Sequence, residues 1–597
     1  MGSFNSTIIT SKGHALMAKT QTGTAKMNFS KISSSDYQYP AGTDFEALTA
    51  LSGIKQTSVV SGVSKVNDAS VKVTGSFTNA GLATGYYLRN IGLFAIDPDE
   101  GEILYSITTA IQADWIPPDN GISVSSVLID LITVISNASN VTIDVDPNAV
   151  ATINDINLIN AEISDLKGFV GYTENDIYGV EVDFPNNKFT RLAGAVNKTP
   201  GADFNGIAAF GGRKRCILTD GGVVLAYYGE TGYTETGATT VEIIKNGTTY
   251  PVGTAVQVMV EQPKFYYRVV PITLEKIAGG IGYHLRKARY YVSDTIKKGF
   301  KVHPAFVSNG VEKNKIYLSA YEGSLFDTSA LAYLLADEQV ADFTATTGDK
   351  LSSIANAKPA SGVTQNLTRA NTRVLANNRG AGWQQSLAIT AAATEMLMLI
   401  EYATFEMQTA IGKGVVEIPD TPNTANNSIN TGSTGFLGNN SGSAVGTNGQ
   451  VSISYRGEEN PWGNIWKWQD GLNIECKGIH QAYWADNAFA DDIKTAPYKN
   501  CGFTLAKTNG YVSAFGYTEE CDFFFLASET VGASNQPVGD YFYQNNAYNG
   551  FLVALLGGSW TYGLAAGAFY WDVGNASSGR SRNVGGRLLY VPAENAA

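Results

Sequence analysis

Three pairs of adjacent carboxylates could do acid–base chemistry: Glu458 with Glu459, Asp491 with Asp492, and Glu519 with Glu520. Cleaving a glycosidic bond takes two carboxyls roughly 5–9.5 Å apart, flanking the bond. Neighbouring residues of a strand point to opposite faces, so neither glutamate pair converges on one bond. Asp491 and Asp492 would need a distant partner. Cys476-x3-His480 has a spacing that zinc accepts, but two further ligands are missing nearby. A buried thiol and a surface imidazole are the expectation there. Asp486 and Asn487 are candidate calcium oxygens, yet their loop offers no full set. His14 stands alone and reads as exposed or capping. The sequence therefore predicts no catalytic residue, no metal ligand and no cofactor, calcium being the one ion considered. No glycine-rich loop follows a strand in the way a phosphate cradle requires.

Composition narrows the field further. The chain has 597 residues, 42 Lys plus Arg against 54 Asp plus Glu, and a formal net charge of −12. Nucleic-acid binders need clustered cations, which this balance argues against. No apolar run of about 18 residues occurs, so no membrane insertion is expected. Four cysteines are too few to staple a chain of this length, and thiols made in a cytoplasm are expected to stay reduced. The opening residues have no apolar signal core. Gly2 in Met1-Gly2-Ser3-Phe4-Asn5-Ser6 fits only the loose pattern for myristoylation. The 63 glycines and 31 tyrosines suggest short strands, long loops and adhesive surfaces.

Four segments are expected. Residues 1–150 read as strands, with β-branched runs at Val59-Val60 and Val71–Thr74, and a turn at Asp97-Pro98-Asp99-Glu100-Gly101. In 151–168, Ile156, Ile159, Ile163 and Leu166 form an a/d seam, and isoleucine at such positions leans toward three strands. An ordinary amphipathic linker helix explains the same spacing. Residues 169–300 form a β-rich spacer. Asp220-Gly221 between apolar runs predicts a hairpin, and Pro263 predicts an edge strand or a break. The cations Arg286, Lys287 and Arg289 read as a solvated face. Residues 301–597 read as one large domain, with a helix from Leu387 to Ile411 capped by Gly412. Thr421–Tyr455 lacks any charge and should be loops, while Trp462, Trp466 and Trp468 should be core.

The last sixty residues carry the strongest functional signal. Ten aromatic rings fall between Tyr541 and Trp571, interleaved with Gly, Ser, Asn and Ala. Tyrosine and tryptophan offer large contact area with few rotamers to freeze, and the small polar residues add adaptable hydrogen bonds. Part of this set should nonetheless be core, Trp560, Phe569 and Trp571 first.

Leu555-Leu556-Gly557-Gly558-Ser559-Trp560, Gly563, Ala566-Gly567-Ala568-Phe569-Tyr570 and Val584-Gly585-Gly586-Arg587-Leu588 resemble the variable region of diversity-generating retroelement target proteins. Tyr455-Arg456-Gly457-Glu458-Glu459-Asn460-Pro461-Trp462-Gly463-Asn464-Ile465-Trp466 is similar to the central signature of the same domain. The resemblance implies a C-type-lectin-like fold, related to the formylglycine-generating enzyme, over about 301–597. It also implies that a reverse transcriptase scatters AAY codons at positions set between the fixed Gly, Trp and Phe residues. Here these ligand-binding positions would be Thr561, Tyr562, Leu564, Ala565, Asp572, Gly574, Gly579 and Ser581. Each is reachable from AAY by changing the first two bases.

Ile8-Ile9-Thr10-Ser11-Lys12-Gly13, Phe29–Ile32, Gly85–Ala95 and Asp97–Tyr105 resemble the N-terminal domain of phage tail-collar and tail-fibre proteins. That resemblance implies attachment to the baseplate and other tail proteins. The combined expectation is an α+β, mostly β, multidomain fibre. It has an attachment domain at 1–150, a short coiled coil at 151–168, a β-rich spacer at 169–300 and a lectin-like domain at 301–597. It would be a homotrimeric receptor-binding protein of the virion, made in the bacterial host cytoplasm. Its partner would be a bacterial surface protein or glycan, and it would not be an enzyme. The alternative is a tail-associated polysaccharide hydrolase.

Overall fold

The computed structural model describes residues 3–67, 69–119, 126–135, 141–142, 176–337, 340–363 and 365–593. The chain divides into two compact units, Met1–Ile156 and Asn157–Ala597. The expected coiled coil at 151–168 lies outside the described residues.

The first unit is built on a mixed sheet in which Tyr86–Asp97 and Gly101–Ile116 form the central hairpin, turning at the anticipated Asp97–Gly101. Met27–Ser35 pairs with Tyr86–Asp97 on its other side. The sequence reading missed one element, the helix Ser11–Gln21. Thr10 caps it, its hydroxyl accepting from the Gly13 N–H at 3.0 Å. Gly13 is required there, because a Cβ would stand 2.2 Å from the Tyr105 carbonyl oxygen. Lys19 fastens the helix to the hairpin turn, 2.7 Å from Asp97 and 2.8 Å from Asp99. His14 lies on this helix, exposed.

Among its described residues, the second unit is mostly β around two α-helices of eight residues or more, Arg369–Asn377 and Ala388–Tyr402. The residues read as a spacer do not stand apart from those that follow. Lys214–Thr219 and Val256–Pro263 share a six-stranded sheet with Lys315–Ser319 and Leu588–Tyr590. Tyr283–Ser293 pairs with Ala514–Tyr517 across more than 200 residues. Phe405 packs against Phe184 and Phe189 at 5.7 and 5.4 Å, and against Phe515 and Phe569 at 5.4 and 5.0 Å. A single apolar core thus runs from Val180 to Val591. Buried ion pairing crosses the same line: Glu401 accepts from Arg456 at 2.6 and 2.7 Å and from the Gly201 N–H at 2.9 Å.

Local expectations fared unevenly. The Asp220-Gly221 hairpin forms between Lys214–Thr219 and Val224–Tyr227. Pro263 ends its strand, so it acts as a break, while the strand itself lies inside the sheet. The long helix stops at Tyr402, with Ala403 at φ 51° as its left-handed cap. Gly412, expected to be that cap, lies beyond a second short helix, Met407–Ala410. The Phe405 cluster accounts for the early stop, since the turn drives that ring into the core.

Candidate functional site

The candidate face is built on an eight-stranded sheet. Trp466–Lys477 is its long strand, buried in eleven of twelve positions. Phe551–Leu556 pairs with it, and Trp571–Asn575 pairs with Phe551–Leu556 in turn. Tyr541–Tyr543 runs parallel beside Trp571–Asn575.

The motif residues of the sequence reading interlock. Gly557 turns at φ 95°, and a Cβ there would come within 2.9 Å of the Pro461 carbonyl oxygen. The Gly463 N–H donates to the Gly557 carbonyl at 3.0 Å, and the Trp560 N–H donates to the Asn464 carbonyl at 3.2 Å. Trp466 sits opposite Val584 in a parallel bridge. The Arg587 guanidinium donates to the main-chain oxygens of Glu459, Asn460, Ser319 and Ala320. Trp462, Trp466, Trp468, Trp560, Phe569 and Trp571 are all buried, as expected of core aromatics.

The loop leaving this frame is pinned from several sides. The Trp560 indole N–H donates to Asp420 at 3.1 Å, and Arg582 grips both oxygens of Asp420 at 2.8 and 2.6 Å. Arg582 also lies over the Trp560 ring at 5.5 Å. The Gln408 amide donates to the carbonyls of Gly563 and Ala566. From this support Thr561, Tyr562, Leu564 and Ser581 project into solvent, while Ala565, Asp572, Gly574 and Gly579 are half-buried. None of the eight positions is buried. Gly574 is sterically tied to Tyr543, whose ring carbon would stand 2.7 Å from any Cβ added there.

An aromatic patch runs across the face. Trp466 meets Tyr562 and Tyr570 at 5.2 and 4.7 Å, and Tyr570 meets Tyr562 and Tyr541, each at 5.7 Å. Burial pushes the Asp572 carboxyl up to about 6, against hydrogen bonds from the Gly574 N–H and the Asn575 amide that pull it down. Burial, with the Asp572 charge adding to it, also raises the Tyr562 and Tyr570 hydroxyls. This ring-and-carboxylate grouping was invisible as a unit in the sequence, although each member lay in the aromatic stretch.

Most residues weighed for catalysis and metals have structural partners. Glu458 pairs with Arg213 at 2.7 Å. On the opposite face, Glu459 accepts from the Gly432 and Thr434 N–H groups, each at 2.7 Å. Asp491 is shared by Arg369 and Arg373, each at 2.6 Å, and Asp492 accepts from the Ser577 hydroxyl. Glu519 and Glu520 are exposed. Cys476 and His480 face each other across a hairpin, both buried, so the imidazole is not at the surface as expected. Burial pushes the Cys476 thiol up to about 11, away from the ligating thiolate. Asn487 spends its amide on Asp486. No group of three or more His, Cys, Asp or Glu that could hold a metal occurs among the described residues. The Arg286, Lys287 and Arg289 cluster is neutralised by Glu275, Glu529 and Glu181.

Residues 1–155 match the family model for the N-terminal part of phage tail-collar fibre proteins. The first 155 residues are similar to that tail-fibre part. Among solved structures, the chain is similar to one titled Major Tropism Determinant U1 Variant, at 14% identity over 72% of this chain and 96% of that one. The TM-score is 0.23, too low to carry the fold of the second unit. No curated protein matches the chain.

Proposed function

We propose that this tail-fibre protein is a receptor-binding protein, with a lectin-like second unit that meets a bacterial surface molecule through a diversified face. Thr561, Tyr562, Leu564, Ala565, Asp572, Gly574, Gly579 and Ser581 form that face. One observation carries the reading: the motif residues are buried and cross-braced, while the positions set between them are accessible. A frame of that kind tolerates exchange of the interposed side chains, because surface substitutions away from packed or hydrogen-bonded groups change stability by only about 0.5 kcal/mol. In this reading the first unit attaches to the baseplate, and the isoleucine seam at 156–166 holds three copies together. Glu458, Glu459 and Asp491 are held by arginines and main-chain donors, and Glu519 and Glu520 are neighbours in an exposed turn, so no second reading is favoured.

Virion adsorption to host cells tests the face. Alanine at Tyr562 and Asp572 should abolish it, and unchanged adsorption would reject the assignment. A near-repeat of the codons for residues 540–590, differing only at adenines and lying beside a reverse-transcriptase gene, is expected in the flanking DNA. Light scattering should return the mass of a trimer at micromolar concentration.

A further inference from the structure

Asp572 is a half-buried carboxylate on the candidate face with no cation beside it among the described residues. Many carboxylates of the second unit are matched to cations, Asp470 and Asp491 to arginines, Glu401 to Arg456, Asp522 to Lys301 and Glu475 to Lys494, while Glu395 and Asp540 lie in the core, out of reach of a ligand, without one. Among the described residues, no lysine or arginine pairs with Asp572. Its Oδ1 accepts from the Gly574 N–H at 2.9 Å and the Asn575 amide at 2.8 Å, and no donor meets Oδ2. A half-buried carboxylate with one oxygen free of protein donors is placed to take a cationic partner.

Its surroundings suit one kind of partner. Tyr543 stands beside Asp572 across the parallel strand pair, so the two side chains share a sheet face. Tyr541, two residues earlier, falls on that face too. Tyr570 lies beneath, 5.7 Å from both Tyr541 and Tyr562. Tyr543 is 40% exposed and Tyr562 36%, so the grouping is open to a ligand. Gly574 is what lets the Tyr543 ring lie so near the carboxylate strand. Tyrosine faces attract cations through the ring quadrupole, by about 0.5–2 kcal/mol each depending on solvation.

Resting on the proposed receptor-binding face, we infer that Asp572 with Tyr541, Tyr543 and Tyr562, backed by the buried Tyr570, forms a subsite for an organic ammonium group carried by the surface ligand. The carboxylate supplies the charge and the rings supply the walls. The same geometry gives a neutral group of equal shape no counter-charge.

The test uses the full-length protein and calorimetric titration at constant ionic strength. Choline and n-butylammonium are the quaternary and primary ammonium probes, and 3,3-dimethylbutan-1-ol is the neutral isostere of choline. At least one ammonium probe should bind saturably, with the isostere about tenfold weaker. Asp572→Asn, which keeps the shape and removes the charge, should lose that preference, and Tyr543→Leu should weaken binding with an unchanged circular-dichroism spectrum. Absence of saturable binding by both ammonium probes overturns the inference, as does equal binding by wild type and Asp572→Asn. Host-cell adsorption, measured alongside, separates the two readings. If Tyr562→Ala abolishes adsorption while neither probe binds, the face stands and the ammonium subsite falls. If adsorption survives Tyr562→Ala, the face itself is rejected.

Discussion

Arg582 holds Asp420 through two parallel hydrogen bonds, 2.6 and 2.8 Å long, and Asp420 in turn accepts the Trp560 indole N–H. A residue inside the stretch proposed to vary is therefore spent on bracing, and it ties the loop to a segment about 160 residues earlier. Bidentate arginine–carboxylate pairs are the strong members of their class, though partial exposure reduces their worth. Arg582→Ala is expected to cost about 1 kcal/mol in urea unfolding and to increase proteolytic nicking near Tyr562. Asp420 is held well below the usual carboxylate range by Arg582. Its contribution is present above about pH 4 and fades as acid protonates it, so the cost of Arg582→Ala should shrink in acid.

Trp560 and Leu564 should respond in opposite ways, although they lie four residues apart. Trp560 is 1% exposed and Leu564 55%. Trp560→Ala should lose about 3–5 kcal/mol, whereas Leu564→Ser should stay within about 0.5 kcal/mol. Equal losses in denaturant titrations would remove the distinction between frame and presented positions.

His303 makes the second unit acid-sensitive. It is fully buried among Phe265, Tyr267 and Phe523, and its Nδ1 accepts from the Ala305 N–H. Burial pushes its pKa down from 6.5 to about 3. The folded state thus binds fewer protons than the unfolded one between those values. Stability is fully present above about pH 6.5 and should fall by up to about 1.4 kcal/mol per pH unit on acidification. His303→Asn keeps an acceptor for Ala305 and cannot charge, so its stability against pH should be flatter over that window.

The shared core forbids a cut at residue 300. A fragment spanning 301–597 loses Val258, Tyr290 and the other members that residues 176–300 contribute to the core. It also leaves Arg456 and Glu401 without Gly201 and Asn205. That fragment should be insoluble or unfolded by circular dichroism. Glu401→Gln in the whole chain should cost about 3–5 kcal/mol, since it strands a buried guanidinium.

The parts legible in the sequence were those written locally. The Asp97–Gly101 and Asp220-Gly221 turns, and the burial of Trp462, Trp466 and Trp468, follow from residue type and short spacing. What escaped was set by partners far along the chain. Tyr283 opposite Tyr517 carries no local mark, so residues 169–300 read as a spacer. The helix ends at Ala403 because packing around Phe405 outweighs alanine's helical preference. At the candidate face, the eight positions came from the resemblance to the variable region, which sets them between fixed Gly, Trp and Phe residues. The isolation of Asp572 did not, because Arg582 lies only ten residues away and turns instead to Asp420.

The near-contact between Gly574 and Tyr543 means that the presented positions do not vary independently. A bulkier residue at 574 displaces the neighbouring ring, so one exchange rewrites the shape offered by residues that have not changed. The repertoire of surfaces reachable from this scaffold is accordingly correlated: each new side chain at that glycine selects which arrangements of the tyrosines remain available.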